Sequence, residues 1–404
     1  CGNESFGGSN LYAMAEYFRT RDPHRPVHYE GIYNDRRYPD TSDVESRMYP
    51  PAASVAAWLD ANPNKPFLLC EYSHAMGNSC GGLSDYLALE ERYPQYQGGF
   101  IWDFIDQALE AVLPNGERGL AYGGDFGDQP TDRNFCGDGL VFADRRITPK
   151  MQEVKYLYQN VRILPSAEGV TLWNRNLFDN LQGYWLFWRL TRDGEPFADG
   201  ILSDVTVPAG ERRTLTLPLP KICEEGEYAL LCELRWKAPV PWADADYPQM
   251  RGQAIIKTVP HMPRKTDTEP YAITQGDVNA GVYAQGVFSL FSYVEGGPVC
   301  LRRDGQTPVL NFAPRPSLYR ACTDNDRGNH FAQDTALWMA FSQLSTPTLE
   351  GLQTNGGRLR MDYRYTLPSL TDATVQTVYE AITAGRWRVT VTLSGGAALP
   401  PLPS

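Results

Sequence analysis

The stretch Pro66-Phe67-Leu68-Leu69-Cys70-Glu71-Tyr72 decides how the first part of this chain reads. An unbroken apolar run of this length predicts a strand buried on both faces, as strands of a parallel sheet are. The same texture returns at Gly98-Gly99-Phe100-Ile101-Trp102-Asp103-Phe104, and in shorter form at Pro26-Val27-His28-Tyr29-Glu30 and Arg47-Met48-Tyr49-Pro50. Helical stretches lie between them. Leu11 to Thr20 places Leu11, Ala15 and Phe18 three or four residues apart, a second runs through Val55, Ala56, Trp58 and Leu59, and a third spans Gly82 to Arg92. Strands alternating with helices at this spacing predict a parallel α/β sheet, open or closed. About four strands make half of an eight-stranded barrel.

From about residue 165 the texture changes. Val170 to Trp173, Trp185 to Leu190, Asp204 to Val207, Thr214 to Leu217 and Tyr228 to Leu234 read as short strands. Turn residues such as Arg192-Asp193-Gly194-Glu195 and Pro208-Ala209-Gly210 separate them, the pattern of a β-sandwich. A Pro-rich stretch, His261 to Pro270, reads as a linker. More strands follow: Ser289 to Tyr293, Val299 to Leu301, Met361 to Tyr365 and Arg386 to Leu393. The expected division is residues 1–160, α/β; 161–265, β-sandwich; and 266–404, the start of a larger β-domain. Both ends, Cys1-Gly2-Asn3-Glu4-Ser5 and Leu399-Pro400-Pro401-Leu402-Pro403-Ser404, look cut rather than designed.

The composition is globular, with 42% hydrophobic, 12% aromatic and 21% charged residues among 404. Lys and Arg number 37 against 48 Asp and Glu, a net charge of −11 that argues against nucleic-acid binding and against docking on anionic membranes. No run of 18 apolar residues is present to span a bilayer. The eight cysteines form no CxxC pair, which speaks against a zinc ribbon. Cys70, Cys136, Cys232 and Cys300 sit beside apolar or aromatic residues and read as buried, reduced thiols of a cytoplasmic protein.

Two carboxylates stand out by position. Glu71 ends the most apolar strand, and Glu4 lies just ahead of a glycine-rich turn and a helix. Carboxylates at the carboxyl ends of barrel strands lie on the catalytic face, where strand ends converge. Two that converge at about 5–5.5 Å suit a retaining glycosidase, one as nucleophile and the other as acid/base.

Several segments together resemble the bacterial lactose-operon type of β-galactosidases in glycoside hydrolase family two. They are Gly2 to Ser5, Met48-Tyr49, Leu69 to Ser79, Gln97 to Asp103, Tyr122 to Asp128 and Phe135 to Phe142. Weaker matches follow at Pro149 with Glu153-Val154-Lys155, and at Arg320 to Asp326. The resemblance implies the C-terminal half of a (β/α)8 TIM barrel, then an immunoglobulin-like β-sandwich, then the start of a large β-supersandwich domain. It also implies hydrolysis of terminal β-galactosides such as lactose by double displacement. Glu71 would be the nucleophile and Glu4 the acid/base. Asn3 would bond the sugar 2-hydroxyl, Tyr49 would donate to the nucleophile, His74 would contact sugar hydroxyls, and Trp102 would offer an apolar platform. Taken singly, these residues read as a surface Asn, a packed Tyr, a core His and a packed Trp.

The resemblance further implies Mg²⁺ beside Glu4, whose other family ligands, a Glu and a His, lie upstream of Cys1. It implies Na⁺ on the Phe135 carbonyl and the side chain of Asp138, where the best-known members carry Asn. The parent protein would be a homo-oligomer. By the same comparison the chain lacks the family's sugar-binding β-domain, another immunoglobulin-like domain and the first barrel half, and is expected not to turn over sugar alone. Two other readings stay open. One is a β-glucuronidase or β-mannosidase of the same superfamily. The other is a non-catalytic carbohydrate-binding or subunit-interaction fragment, built on Trp173, Trp185, Trp188 and Trp236.

Overall fold

The computed structural model describes residues 1–113, 115–260, 271–355, 358–383, 385–396, 399–400 and 402. They fall into two compact units, residues 1–261 and 262–404. The linker expected at 261–270 lies outside the described residues.

The first unit begins with α1 (Ser9–Arg21), followed by β1 (Glu45–Met48), α2 (Ala52–Ala61), β2 (Phe67–Tyr72), α3 (Leu83–Arg92) and β3 (Tyr96–Ile101). The three strands form a parallel sheet in the order β1-β2-β3, with the apolar run of the sequence at its centre. Phe67 and Leu69 are fully buried, and Val55, Leu59, Leu83, Leu87 and Leu89 from α2 and α3 pack on them. Each such side chain contributes about 1.5–3 kcal/mol on leaving water. Gly99 lets β3 approach, since a Cβ there would lie 2.7 Å from the Cβ of Leu69.

The fourth expected strand, Pro26 to Glu30, carries no ladder and closes in a turn at Glu30. Its backbone is satisfied mainly by side chains. Val27 N–H donates to the Asp43 carboxylate (2.6 Å) and Tyr29 N–H to the Ser42 hydroxyl (3.1 Å), while Asp43 N–H returns a bond to the Val27 carbonyl (2.8 Å).

A small hairpin, β4 (Leu109–Val112) and β5 (Arg118–Ala121), precedes α4 (Pro149–Leu157). Seven antiparallel strands follow: β6 (Val161–Ser166), β7 (Gly169–Asn174), β8 (Tyr184–Arg192), β9 (Glu195–Leu202), β10 (Arg212–Leu215), β11 (Gly226–Trp236) and β12 (Pro248–Val259). They form two sheets, β10-β7-β6 and β12-β11-β8-β9. Leu186, Trp188 and Leu190 on β8, and Tyr228, Leu230, Cys232 and Leu234 on β11, alternate inward at the strand period of two. Burial pushes the Cys232 thiol up to about 12, which keeps it protonated and inert.

Asp204 to Val207, expected as a strand, joins neither sheet. Val205 and Val207 are buried in the sandwich core, but the Val207 carbonyl accepts from the side-chain amide of Asn174 (2.9 Å) and from Leu181 N–H (3.2 Å). The segment thus has the apolar alternation of a strand without strand partners. The parallel sheet and the sandwich keep separate apolar cores. They are bonded to each other where Gln159 exchanges two 3.0 Å hydrogen bonds with the backbone of Arg251.

The second unit holds two four-stranded antiparallel meanders. The first is β13 (Ala272–Gln275), β14 (Asn279–Ala284), β15 (Val287–Ser292) and β16 (Gly297–Arg303). After α5 (Ala336–Leu344) comes the second: β17 (Thr346–Asn355), β18 (Arg358–Thr366), β19 (Ala373–Thr383) and β20 (Arg386–Gly395). Phe291, Trp338, Phe341, Tyr363 and Tyr365 share its core.

Candidate active site

Because β1, β2 and β3 run parallel, their carboxyl ends share one edge, and Tyr49, Glu71, His74 and Trp102 gather along it. An irregularity in β1 pairs Arg47 with Leu69 but Met48 with Glu71, skipping Cys70. Tyr49 N–H then donates to the Glu71 carbonyl (2.9 Å), and the Tyr49 hydroxyl donates to Glu71 Oε2 (2.6 Å). Burial first, and then the adjacent Glu71 carboxylate, raise the Tyr49 phenol well above its ordinary range. At neutral pH it is therefore a hydrogen-bond donor.

His74 follows in the loop after β2. Its ring lies 5.7 Å from Tyr49 and 5.9 Å from Phe135, centroid to centroid. The loop is held from below by Lys150, whose ammonium donates to the carbonyls of Ala75 and of Gly77, the latter at 3.0 Å. Trp102, just past β3, accepts from Ala75 N–H on its carbonyl (2.7 Å) and donates its indole N–H to Asp138 Oδ2 (3.0 Å).

Glu4 and Asn3 are exposed. Glu4 is tied to this edge through its backbone, whose N–H donates to Glu30 Oε1 at 2.5 Å. Glu30 is only 6% exposed. Its carboxyl is raised chiefly by burial; the Glu4 N–H opposes this, while the negative charges of Glu4 and Glu71 add to it. Glu30 is thus a third acid at this edge, where the sequence had suggested two, and it takes up the backbone N–H of Glu4. Asn3 meets none of the other singled-out side chains; its carbonyl accepts from the Ser5 hydroxyl (3.1 Å). Four non-glycine residues of this edge have left-handed backbones: Glu4 (φ 53°), Phe6 (φ 60°), Tyr49 (φ 49°) and Ser73 (φ 47°). Each such residue costs about 1–2 kcal/mol, and strain of this kind collects where side chains must be aimed.

The two cation positions differ in fit. Asp138 is 2% exposed, and its Oδ1 has no hydrogen-bond partner among the described residues. A buried, uncompensated carboxylate oxygen suits a small cation, and its carboxyl is correspondingly raised by burial. At Glu4 the described residues bring no group of three or more His, Cys, Asp or Glu side chains together. One carboxylate is far from the near-octahedral oxygen set Mg²⁺ requires, so these residues do not by themselves fit that ion.

Comparison with known proteins adds the following. Residues 1–163 match the family described as glycosyl hydrolases family 2, TIM barrel domain, and residues 170–257 match β-galactosidase, domain 4. The chain is 42% identical over 403 residues to a β-galactosidase of Clostridium acetobutylicum, covering 100% of this chain and 45% of that protein. It is 37% identical over 431 residues to a β-galactosidase of Streptococcus thermophilus, covering 100% and 41% respectively. A β-galactosidase large subunit of Latilactobacillus sakei is 57% identical over 159 residues, 39% of this chain and 25% of that one. The chain thus spans less than half the length of these relatives.

Proposed function

Since this chain belongs to glycosyl hydrolase family 2 and carries the family's barrel segment over residues 1–163, we propose that it works within a retaining β-galactosidase acting on terminal β-galactosides. The observation that carries the reading is Tyr49 bonded to Glu71 at 2.6 Å on the strand-end edge of a segment matching that barrel. Glu71 attacks the anomeric carbon while Glu4 gives a proton to the departing glycosidic oxygen, leaving a galactosyl ester on Glu71 and a free alcohol. Glu4, now a carboxylate, then takes a proton from water, which attacks the anomeric carbon and displaces Glu71. Asn3 and His74 face the sugar hydroxyls and Trp102 one sugar face. The Phe135 carbonyl and Asp138 would hold a Na⁺, which would add fixed positive charge beside Trp102. No step is assigned to Mg²⁺. The eight cysteines are all free, which supports a reducing, cytoplasmic location. Assembly with further subunits is in keeping with relatives named large subunits.

The non-catalytic alternative needs free tryptophan faces in the sandwich. Trp188 is buried, the Arg212 guanidinium sits 3.8 Å over Trp173, Arg235 lies 5.4 Å over Trp185, and Trp236 packs on Tyr184 with ring centroids 4.2 Å apart. These rings are occupied, which favours the enzyme. The test is to treat the complete polypeptide that contains this chain with 2,4-dinitrophenyl 2-deoxy-2-fluoro-β-galactoside and map the label. A galactosyl adduct on Glu71 is expected. An adduct on another residue, or faster turnover of an aryl β-glucuronide or β-mannoside than of the β-galactoside, would refute the reading.

A further inference from the structure

We infer that Glu30 is a positioning residue for Glu4, holding the acid/base in its working direction through the 2.5 Å bond from Glu4 N–H to Glu30 Oε1. This rests on the reading of Glu4 as the acid/base. Nothing else described here fixes Glu4 as closely. Its side chain is exposed, no hydrogen bond holds its carboxylate among the described residues, and its backbone sits at φ 53°. A left-handed glutamate is disfavoured on its own and needs an outside restraint to persist. A 2.5 Å hydrogen bond from a backbone N–H to a carboxyl oxygen is a firm restraint, and burial of Glu30 keeps water from competing for it.

Glu30 is itself anchored. It ends the segment that Ser42 and Asp43 hold by their side chains, with Val27 and Tyr29 as donors. The chain continues from Ser42 and Asp43 directly into β1 and on to Tyr49, which bonds Glu71. One short stretch, residues 42–49, therefore sets the position of both carboxylates. It reaches Glu71 through Tyr49, and Glu4 through the segment that Glu30 ends.

The experiment compares Glu30→Ala and Glu30→Gln in the complete polypeptide on two substrates. Lactose has a departing hydroxyl that needs a proton from Glu4. A 2,4-dinitrophenyl β-galactoside releases a phenolate that does not. Rates are taken as kcat/KM, which reports formation of the galactosyl ester, per site titrated with the 2-fluoro sugar. That reagent needs only the nucleophile, so it counts folded sites. A displacement of an ångström at a catalytic group costs roughly 10²-fold, so Glu30→Ala should lose about that factor on lactose and less than about threefold on the dinitrophenyl substrate. Glu30→Gln keeps an oxygen in place and should recover most of the lactose rate. If Glu30→Ala gives no titratable sites, Glu30→Asp, which withdraws the oxygen by one methylene, should show the same split between substrates. Equal losses on both substrates, or none on either, would overturn the proposal. Failure of the underlying reading would look different, because Glu4→Gln would then fail to show the substrate split or Glu71→Gln would still take up the label.

Discussion

Replacing Tyr49 with Phe tests the site at its best-defined contact. The ring stays, 5.7 Å from His74, and only the hydroxyl that donates to Glu71 Oε2 at 2.6 Å is removed. A hydrogen bond to a charged group is worth about 1.5–3 kcal/mol. Tyr49 is 40% exposed, so water replaces part of it and the lower end applies. At about 1.4 kcal/mol per factor of ten, the loss is about 10- to 30-fold wherever the bond matters.

It matters unequally in the two halves of the reaction. In the galactosyl ester, Glu71 has lost its charge and the bond is weak. As the ester breaks, charge returns to Glu71 and the bond strengthens, so Tyr49 favours departure of the nucleophile. In the first half Glu71 gives up charge, and losing the donor does not slow attack. Tyr49→Phe should therefore lower kcat by about 10- to 30-fold, lower KM with it, and leave kcat/KM for a dinitrophenyl β-galactoside close to wild type. The assay is stopped-flow release of dinitrophenol, which should show a burst of one equivalent per site, with the ester seen as a mass increment on the intact chain. A kcat and kcat/KM reduced in equal proportion, with no burst, would refute the reasoning.

Further outcomes follow from the same structure. Gly99→Ala places a Cβ 2.7 Å from the Leu69 Cβ and 3.1 Å from the Leu69 carbonyl, so it should destabilise the first unit by about 1–3 kcal/mol; an unchanged melting temperature would contradict the close approach of β2 and β3. Lys150→Met removes the ammonium from the carbonyls of Ala75 and Gly77 and should raise KM for galactosides about 5- to 10-fold with little change in kcat, through loosening of the His74 loop; an unchanged KM would show that the loop holds without it. The Asp326 carboxyl is held well below its ordinary range by the Arg320 guanidinium (2.5 Å), and next by Thr323 N–H (2.6 Å). A folded value below the unfolded one contributes stability that is present above about pH 4 and is lost as pH falls through the folded value. Asp326→Asn should flatten that acid limb in thermal melts, and an identical acid limb in the variant would remove Asp326 as its source.

What the sequence showed and what it hid divide along physical lines. The β2 strand was legible from its apolar run, although burial on both faces was not met: Phe67 and Leu69 are fully buried while Leu68 and Cys70 on the other face are half-buried. Also legible were the alternating inner faces of β8 and β11, where the strand period of two is written into Leu186-Trp188-Leu190 and Tyr228-Leu230-Cys232-Leu234. Pro26 to Glu30 and Asp204 to Val207 carry the same alternation, yet their backbones are bonded largely through Ser42, Asp43 and Asn174 rather than within a sheet. Composition cannot distinguish a strand from a segment satisfied by side chains. The pairing of Trp102 with Asp138 was likewise invisible, since it depends on how distant loops meet. Glu30 is a different case, because its signal was present. The criterion that selected Glu71, an acid closing a strand-like run, applies equally to Glu30 at the end of Pro26-Val27-His28-Tyr29. That run is shorter than the one ending at Glu71 and is interrupted by His28, so its signal is weaker. Yet the weaker run holds the more deeply buried acid, while Glu4 lies exposed on no strand at all. At this edge, then, the fixed points are Glu71 at the end of β2 and Glu30 at the end of a segment held by side chains, and Glu4 depends for its aim on Glu30.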